Sequence, residues 1–370
     1  MKRSALNNLI AAGLSLALVG GVGFGVSKMI IPAFGINKTR VEPTISKYVR
    51  DILAKQIKTY NKVAPSLWPN NKDVNLESIV QDIDNDVFWK IEPNGKVTRI
   101  SKSEVLKHED IMLMKIPGWF QGYATKNGAG AFMAASKKEM ADVNRLKRYP
   151  HLGTYDLFIT YSHEMFHATN QEEWAFPDKQ YNTDSNEYLK RYEARAVRLQ
   201  LQTELMKAYV DKDEKALSKA LGTYQYYKDN FKQDYNDTLL NDRLEGTAFY
   251  YEIRSSLFAG YPSQVTSMSE NDTAVKNLFL NHTDDYLDSG AYAETYNVGA
   301  LAGFVLDWQA DAHHQSRDIW KKAMATQKDT SPMQYLLDHS SLKRTAFVPK
   351  YTKSEYLNKY QEILKYKHLD

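Results

Sequence analysis

The sequence predicts an α+β fold, in which a small N-terminal sheet is followed by a predominantly helical C-terminal part. Apolar residues in Val87 to Ile100 flank Pro93-Asn94-Gly95, where Asn-Gly supplies the positive φ angles of a hairpin turn. A further strand is expected over Gly130 to Ala135, after a glycine-rich turn. After residue 154 helical spacing dominates, with breaks at Phe176-Pro177 and Gly260 to Pro262.

The chain divides into three parts on these patterns. Residues 1–39 form an N-terminal segment with a short linker, and residues 40–150 form an α+β part that begins with a helix over Val41 to Val63. Residues 151–370 form a helical part that carries the chemistry described below. At 370 residues the chain is long enough to bury one large core or two moderate ones.

Composition excludes several classes of function. The chain has 48 Lys and Arg against 45 Asp and Glu, and the net charge of +3 argues against a nucleic-acid partner. It contains no cysteine, which excludes disulfides, thiolate zinc sites, iron–sulfur clusters and cysteine nucleophiles. Any metal site must therefore be built from histidines and carboxylates.

The N-terminus predicts attachment to a membrane. Lys2 and Arg3 precede an uncharged run from Ser4 to Ser27, which is long enough to span a bilayer as a helix. The run is longer than a usual signal-peptide core, and no convincing A-x-A cleavage site follows it, so an uncleaved anchor is favoured over a cleaved signal peptide. We expect a single-pass protein of the cell membrane with its body outside the cell, or a secreted protein if the segment is cleaved.

The segment Tyr155 to His167 holds the most informative motif. Its apolar residues have helical spacing, so His163 and His167 lie one turn apart on the same side of a helix, where two imidazoles can bind one ion. Glu164 lies beside them and can act as a general base. This H-E-x-x-H arrangement indicates a zinc hydrolase, and chance produces it on the order of 0.01 times in a chain of this composition.

The third ligand is sought downstream, because catalytic zinc takes three protein ligands and keeps one open position. The segment Asp242 to Glu252 contains Glu245-Gly246-Thr247-Ala248, which resembles the third-ligand helix of the gluzincin metallopeptidases, notably the membrane alanyl-type aminopeptidases. That resemblance implies a zincin-like fold and Zn²⁺ on His163, His167 and Glu245. The small residues Gly246 and Ala248 are expected to let this helix approach the histidine helix closely.

The gap of 78 residues between His167 and Glu245 is longer than in those aminopeptidases, and it leaves other ligands open. Glu193 lies on a strongly helical segment nearer to the motif, as a ligand or as a hydrogen-bond partner of a ligating histidine. Alternatively, Glu193 forms a surface ion pair with neighbouring basic residues and has no role in the site. Glu252 is a further candidate.

A third segment matches the same family. Tyr296-Asn297-Val298-Gly299 resembles the Tyr-x-x-Gly helix start that follows the zinc-ligand helix, where the tyrosine donates to the oxyanion of the tetrahedral intermediate. Tyr296 is therefore a candidate catalytic residue, although Gly299 and Gly303 are equally consistent with simple tight helix packing. Gly128 to Ala135 is a candidate edge strand for an extended peptide. His313-His314 are interpreted as surface residues, and His151, just before the helix, is a weaker candidate for substrate contact that is not assigned to the site.

Together these motifs predict a zinc peptidase acting on peptides or proteins near the membrane. The Gly-x-Met-Glu-Asn motif that holds the substrate amine in the aminopeptidases is absent from the sequence, so an endopeptidase is favoured. Two alternatives stay open, namely a catalytically idle, membrane-anchored binding module and a zinc hydrolase of a non-peptide bond. Retention of Glu164 argues against the idle module, because a structural zinc site needs no base.

Overall fold

The computed structural model describes residues 44–69, 76–114, 116–125, 128–136, 152–154, 156–177, 190–281 and 294–366. The expected anchor in residues 1–39 and the side chain of His151 lie outside these ranges. Within these ranges, no helix has the length and apolar character needed to cross a membrane.

The described chain begins with one long helical element. Helix α1 (Ile45–Tyr48) passes through a π-helical segment (Val49–Leu53) into α2 (Ala54–Leu67). This confirms the helix expected up to Val63. Thr44 caps its first turn by accepting a hydrogen bond from the Lys47 amide.

The N-terminal part then forms a mixed five-stranded sheet. Its strands are β1 (Glu77–Asp82), β2 (Val87–Ile91), β3 (Val97–Ile100), β4 (Phe120–Thr125) and β5 (Gly128–Ala135), and the short helix α3 (Lys102–Val105) follows β3. The order across the sheet is β3-β2-β1-β5-β4. Strands β1 and β5 are parallel, and the other neighbours are antiparallel.

The predicted hairpin and the predicted strand over Gly130–Ala135 are both confirmed. Gly95 in the hairpin turn has φ 84°, where an L side chain is strained. The prediction that Gly128 to Ala135 is an edge strand is wrong, because β5 is paired on both sides and β4 forms that edge of the sheet. Strands β1 and β4 were not predicted, and apolar and polar residues alternate only weakly in β4.

The remaining part is helical, as expected. Its helices are α4 (Asp156–Phe166), continued by a π-helical segment (His167–Gln171), then α5 (Tyr192–Asp211), α6 (Glu214–Asn230), α7 (Lys232–Gly260), α8 (Met268–Asn281), α9 (Glu294–Ala312), α10 (Asp318–Thr326), α11 (Pro332–His339) and α12 (Lys353–Tyr366). The α+β prediction is therefore confirmed. One large buried cluster joins α1 and α2, the inner face of the sheet and these helices, and a smaller cluster lies on the outer face of the sheet.

Helix α7 is the central element, since it packs against α2, α4 and α9. It crosses α9 where Gly246 meets Gly299, and a Cβ added to Gly246 would lie 2.4 Å from the Gly299 Cα. The expectation that Gly246 serves the approach to the histidine helix is thus wrong, since its close neighbour is α9. Two glycines are required there because only hydrogen atoms fit between the two backbones.

Candidate metal centre

Helix α4 is held in place by its apolar side. Phe158, Tyr161, Met165 and Phe166 are fully buried. Phe166 lies 4.7 Å, ring centre to ring centre, from Tyr251 on α7. Burial of these side chains fixes the helix against its neighbours, and the His163 side chain on the same helix contacts Glu245 and Glu252 of α7.

Three ligand atoms converge between α4 and α7. The Nε2 atoms of His163 and His167 lie 3.1 Å apart, and the Oε2 atom of Glu245 lies 3.1 Å from the first and 3.5 Å from the second. Ligand atoms around tetrahedral zinc are about 3.3 Å apart when each bond is 2.0–2.1 Å. The three atoms therefore have the spacing of one face of such a site.

The outer nitrogen of each imidazole is engaged by an acceptor. His163 Nδ1 is 2.8 Å from Glu252 Oε2, and His167 Nδ1 is 2.6 Å from Gln171 Oε1. A carboxylate and an amide oxygen accept hydrogen bonds, so both Nδ1 atoms carry the proton. In the neutral rings the Nε2 lone pairs then face each other and Glu245, which is the arrangement that binds a cation.

The orientation of Gln171 is itself determined by α7. Its Nε2 donates to the Leu244 carbonyl and to Thr247 Oγ1, each at 2.9 Å. Thr247 Oγ1 donates to the Arg243 carbonyl at 2.7 Å, so it accepts from Gln171. The amide nitrogen must therefore point to α7 and the amide oxygen to His167. The π-helical segment that begins at His167 carries Gln171 into this position.

The electrostatics favour a positive charge between these groups. Burial opposes protonation of His163, but its hydrogen bonds to Glu245 and Glu252 outweigh burial and raise its pKa to about 10. Burial likewise opposes ionisation of Glu245, yet the charge of His167 and the hydrogen bonds from both histidines hold its pKa well below the usual range. The cluster thus stabilises a proton or a metal ion beside ionised carboxylates.

Glu164 is buried with the same cluster, at 7 % exposure. Burial raises its pKa, and the charges of His167 and His163 only partly oppose this. A carboxylate with a raised pKa is better suited to accept a proton near neutral pH than an ordinary surface glutamate.

Tyr296 forms a wall of the centre. Its ring stacks on the His163 imidazole at 5.6 Å between ring centres, with 17° between the planes. It lies in the first turn of α9, two residues after the buried Glu294. The structure therefore brings Tyr296 beside His163, one of the three candidate ligands.

Two other sets of candidate residues lie apart from the centre. The Glu193 side chain is 60 % exposed, and its carboxylate lies 3.5 Å from Lys353 Nζ. Glu193 is therefore part of a surface ion pair and does not contact the histidines. His313 and His314 are exposed at the end of α9. Glu252 contacts His163 through Nδ1, which makes it the partner of a ligating histidine and not the third ligand.

Strand β4 lies next to the centre. Gly122 on β4 faces Ala168, the residue after His167, and an added Cβ would lie 3.9 Å from the Ala168 side chain. Gly122 and Ala124 are both exposed. Among the described residues, Gly122 and Ala124 are thus small, exposed positions on this edge strand beside the candidate centre.

The sequence patterns did not reveal the two residues that orient the histidines. Gln171 was missed, and Glu252 was considered only as a possible third ligand. Gln171 lies four residues after His167, so it shares a helix face with that histidine, and this spacing was a usable signal. Glu252 lies seven residues, or two turns, after Glu245, which predicts that both carboxylates face the same way.

Searches of protein-family models, curated protein sequences and solved structures found no significant match to this chain. The resemblance to the gluzincins therefore rests on the three sequence motifs.

Proposed function

We propose that this chain is a zinc-dependent peptidase of the gluzincin type with a zincin-like fold. The observation that carries the proposal is the convergence of two imidazole Nε2 atoms and one carboxylate oxygen, spaced 3.1–3.5 Å apart, with both Nδ1 atoms engaged by acceptors. His163, His167 and Glu245 would hold Zn²⁺, which when bound lowers the pKa of water and polarises a carbonyl.

The chain's own groups supply the remaining steps. Glu164 would accept a proton from the attacking water and deliver it to the leaving amine, and its burial supports this role by raising its pKa. Tyr296, whose ring stacks on His163, would donate its hydroxyl proton to the oxyanion that forms at the attacked carbonyl. Glu252 and Gln171 would keep both imidazoles in the ligating tautomer.

An extended peptide is the substrate that this surface suits. Strand β4 is a sheet edge, and an edge strand offers backbone hydrogen bonds to a peptide added alongside it. The exposed Gly122 and Ala124 leave space for the peptide next to the histidine helix. A peptide paired alongside a strand can extend on both sides of the cleaved bond, which supports an endopeptidase acting on peptides or proteins.

The uncharged run from Ser4 to Ser27 supports a location at the cell membrane, with the body outside the cell. Substrates would then be peptides or surface proteins close to the bilayer.

The test compares the wild-type full-length chain with Glu164→Gln and Tyr296→Phe on a quenched fluorescent peptide library, with the zinc content of each protein measured. Wild type should bind one zinc and cleave. Glu164→Gln should keep its zinc and lose about 10²- to 10⁴-fold in kcat, because the base is gone while the ligands remain. Tyr296→Phe should lose up to about 10²- to 10³-fold in kcat with little change in KM.

Other outcomes would separate the alternatives. Zinc binding without cleavage of any peptide by wild type would contradict the peptidase and leave a binding module or a hydrolase of another bond. Equal activity of Glu164→Gln and wild type would remove Glu164 from the mechanism.

A further inference from the structure

An apolar loop, residues 106–119, stands out on the surface between α3 and β4. Among the described residues six large hydrophobic side chains are exposed, and three of them lie in this loop: Leu106 at 54 %, Met112 at 57 % and Ile116 at 37 %. The other three, Leu280, Ile319 and Val348, lie on separate elements. Single exposed apolar residues are ordinary, whereas a cluster marks an interaction surface.

Hydrogen bonds and packing hold the described parts of this loop, residues 106–114 and 116–119, near both of its ends. At one end Ile111 is buried in the cluster on the outer face of the sheet. Gln121 of β4 accepts a hydrogen bond from the Met112 amide at 3.0 Å and donates to the Asp110 carbonyl. At the other end the Gly118 amide donates to the Ala134 carbonyl, and the Ala134 amide donates to the Trp119 carbonyl, each at 2.9 Å. Exposure of Met112 and Ile116 is therefore built into the fold.

The charges in and around the apolar loop favour a contact with lipid chains over a contact with headgroups. From residue 102 to residue 119 three lysines balance three acidic residues, and residues 111–119 contain one charged residue, Lys115. A surface that bound through anionic headgroups would carry an excess of Lys and Arg. Apolar side chains with balanced flanking charge suit shallow insertion at the boundary between headgroups and acyl chains.

The length of chain before Thr44 keeps the body of an anchored chain within reach of a bilayer. The uncharged run ends at Ser27, and residues 28–43 connect it to Thr44. These 16 residues extend at most about 55 Å, so the body of an anchored chain stays close to the membrane surface. We propose that the apolar loop inserts Met112 and Ile116 into the membrane that holds the N-terminal segment, which orients the body on the bilayer.

This inference rests on the membrane attachment proposed above, and it does not depend on the hydrolase activity. The absence of cysteine provides a direct test, since a single introduced cysteine is a unique labelling site. The full-length variants Met112→Cys and Ile116→Cys would be labelled with a polarity-sensitive fluorophore and placed in phosphatidylcholine nanodiscs. Val348→Cys, exposed and apolar but far along the chain, is the matched control.

Labels at 112 and 116 should be quenched by spin-labelled lipid and show a several-fold lower iodide quenching constant than the label at 348. Adding phosphatidylglycerol should leave this pattern unchanged. Equal access of iodide to all three positions would overturn the loop contact while leaving the attachment intact, and failure of the chain to remain with the nanodiscs would overturn both. Shielding from iodide without quenching by lipid would show that protein covers the loop, and it would also overturn the proposal.

Discussion

Helix α7 carries two buried clusters of charged residues, and the buried charges are balanced differently in the two clusters. Around Asp242, the guanidinium of Arg198 forms two hydrogen bonds to the carboxylate at 2.5 and 3.0 Å, and Arg195 bridges Asp234 and Glu294. One turn later, Glu245 and two imidazoles direct acceptor atoms at one another. The first cluster is paired by its own arginines, whereas the second contains only imidazoles, whose positive charge depends on a bound proton.

The contrast explains why only one of the two is a candidate site. Arg195 and Arg198 are fully buried, and each carboxylate of the first cluster faces at least one guanidinium, which opposes the desolvation of the charges. Burial still outweighs the Arg198 contacts at Asp242 and raises its pKa to about 6. In the second cluster Glu164, Glu245 and Glu252 gather around two imidazoles, which have no fixed charge and can balance the carboxylates only by taking up a proton or by sharing a metal ion. A buried charge cluster therefore indicates a ligand when its own residues leave it unbalanced.

The largest effect is expected from breaking the paired cluster. Arg198→Met leaves Asp242 and Glu294 without this partner and should lower the free energy of unfolding by about 3–5 kcal/mol. Chemical denaturation should give the same loss of unfolding free energy in chelator and in excess zinc, because the cluster around Asp242 holds no metal. Arg198→Lys, which keeps the charge but loses the bidentate contact, is the control and should lose less. A loss seen only with zinc present would contradict the separation of the two clusters.

The crossing of α7 and α9 links both clusters, and it is the next point to disturb. Gly246→Ala should lower the free energy of unfolding by about 1–3 kcal/mol, because the new Cβ would lie 2.4 Å from the Gly299 backbone. It should also weaken zinc binding, since Glu245 precedes this crossing. Thermal denaturation and zinc titration measure the two effects, with Gly303→Ala, which faces the rings of Trp320 and Tyr250, as the comparison. If Gly246→Ala were as stable as wild type, the two helices could move apart at this crossing without a cost in stability.

A smaller effect should follow from loosening one ligand of the metal centre. Gln171→Leu removes the acceptor for the His167 Nδ1 proton and should weaken zinc binding by about 10- to 100-fold. Competition with a zinc-sensitive chelating dye measures this. Gln171→Glu keeps an acceptor oxygen and should bind more tightly than Gln171→Leu. Equal affinity of Gln171→Leu and wild type would mean that His167 is oriented by packing alone.

Local patterns predicted much of the fold and the centre. The hairpin over Val87 to Ile100 follows from its Asn-Gly turn, and the histidine pair follows from the i, i+4 spacing on one helix. Glu245 was selected across 78 residues because Glu-Gly-x-Ala is itself a local pattern, and the structure brings it to both histidines.

The errors concern relations between distant segments. Which strand forms the sheet edge depends on the pairing of β5 with both β1 and β4, and the alternation within each strand does not encode that choice. The partner of Gly246 depends on how α7 and α9 cross, and either face of a helix can use a small residue. The sequence left the role of Glu193 undecided, because its burial depends on the packing of α5. That packing places it beside Lys353.

Zinc binding measured together with stability tests the central claim most directly. Metal analysis of the full-length chain should give one zinc per molecule, and zinc at 100 times its dissociation constant should stabilise the fold by about 2.7 kcal/mol. His167→Ala and Glu245→Gln should lose both effects, while the surface variant His314→Ala should keep them. A wild-type chain that binds no zinc, or ligand variants that bind it as well as wild type, would contradict the account.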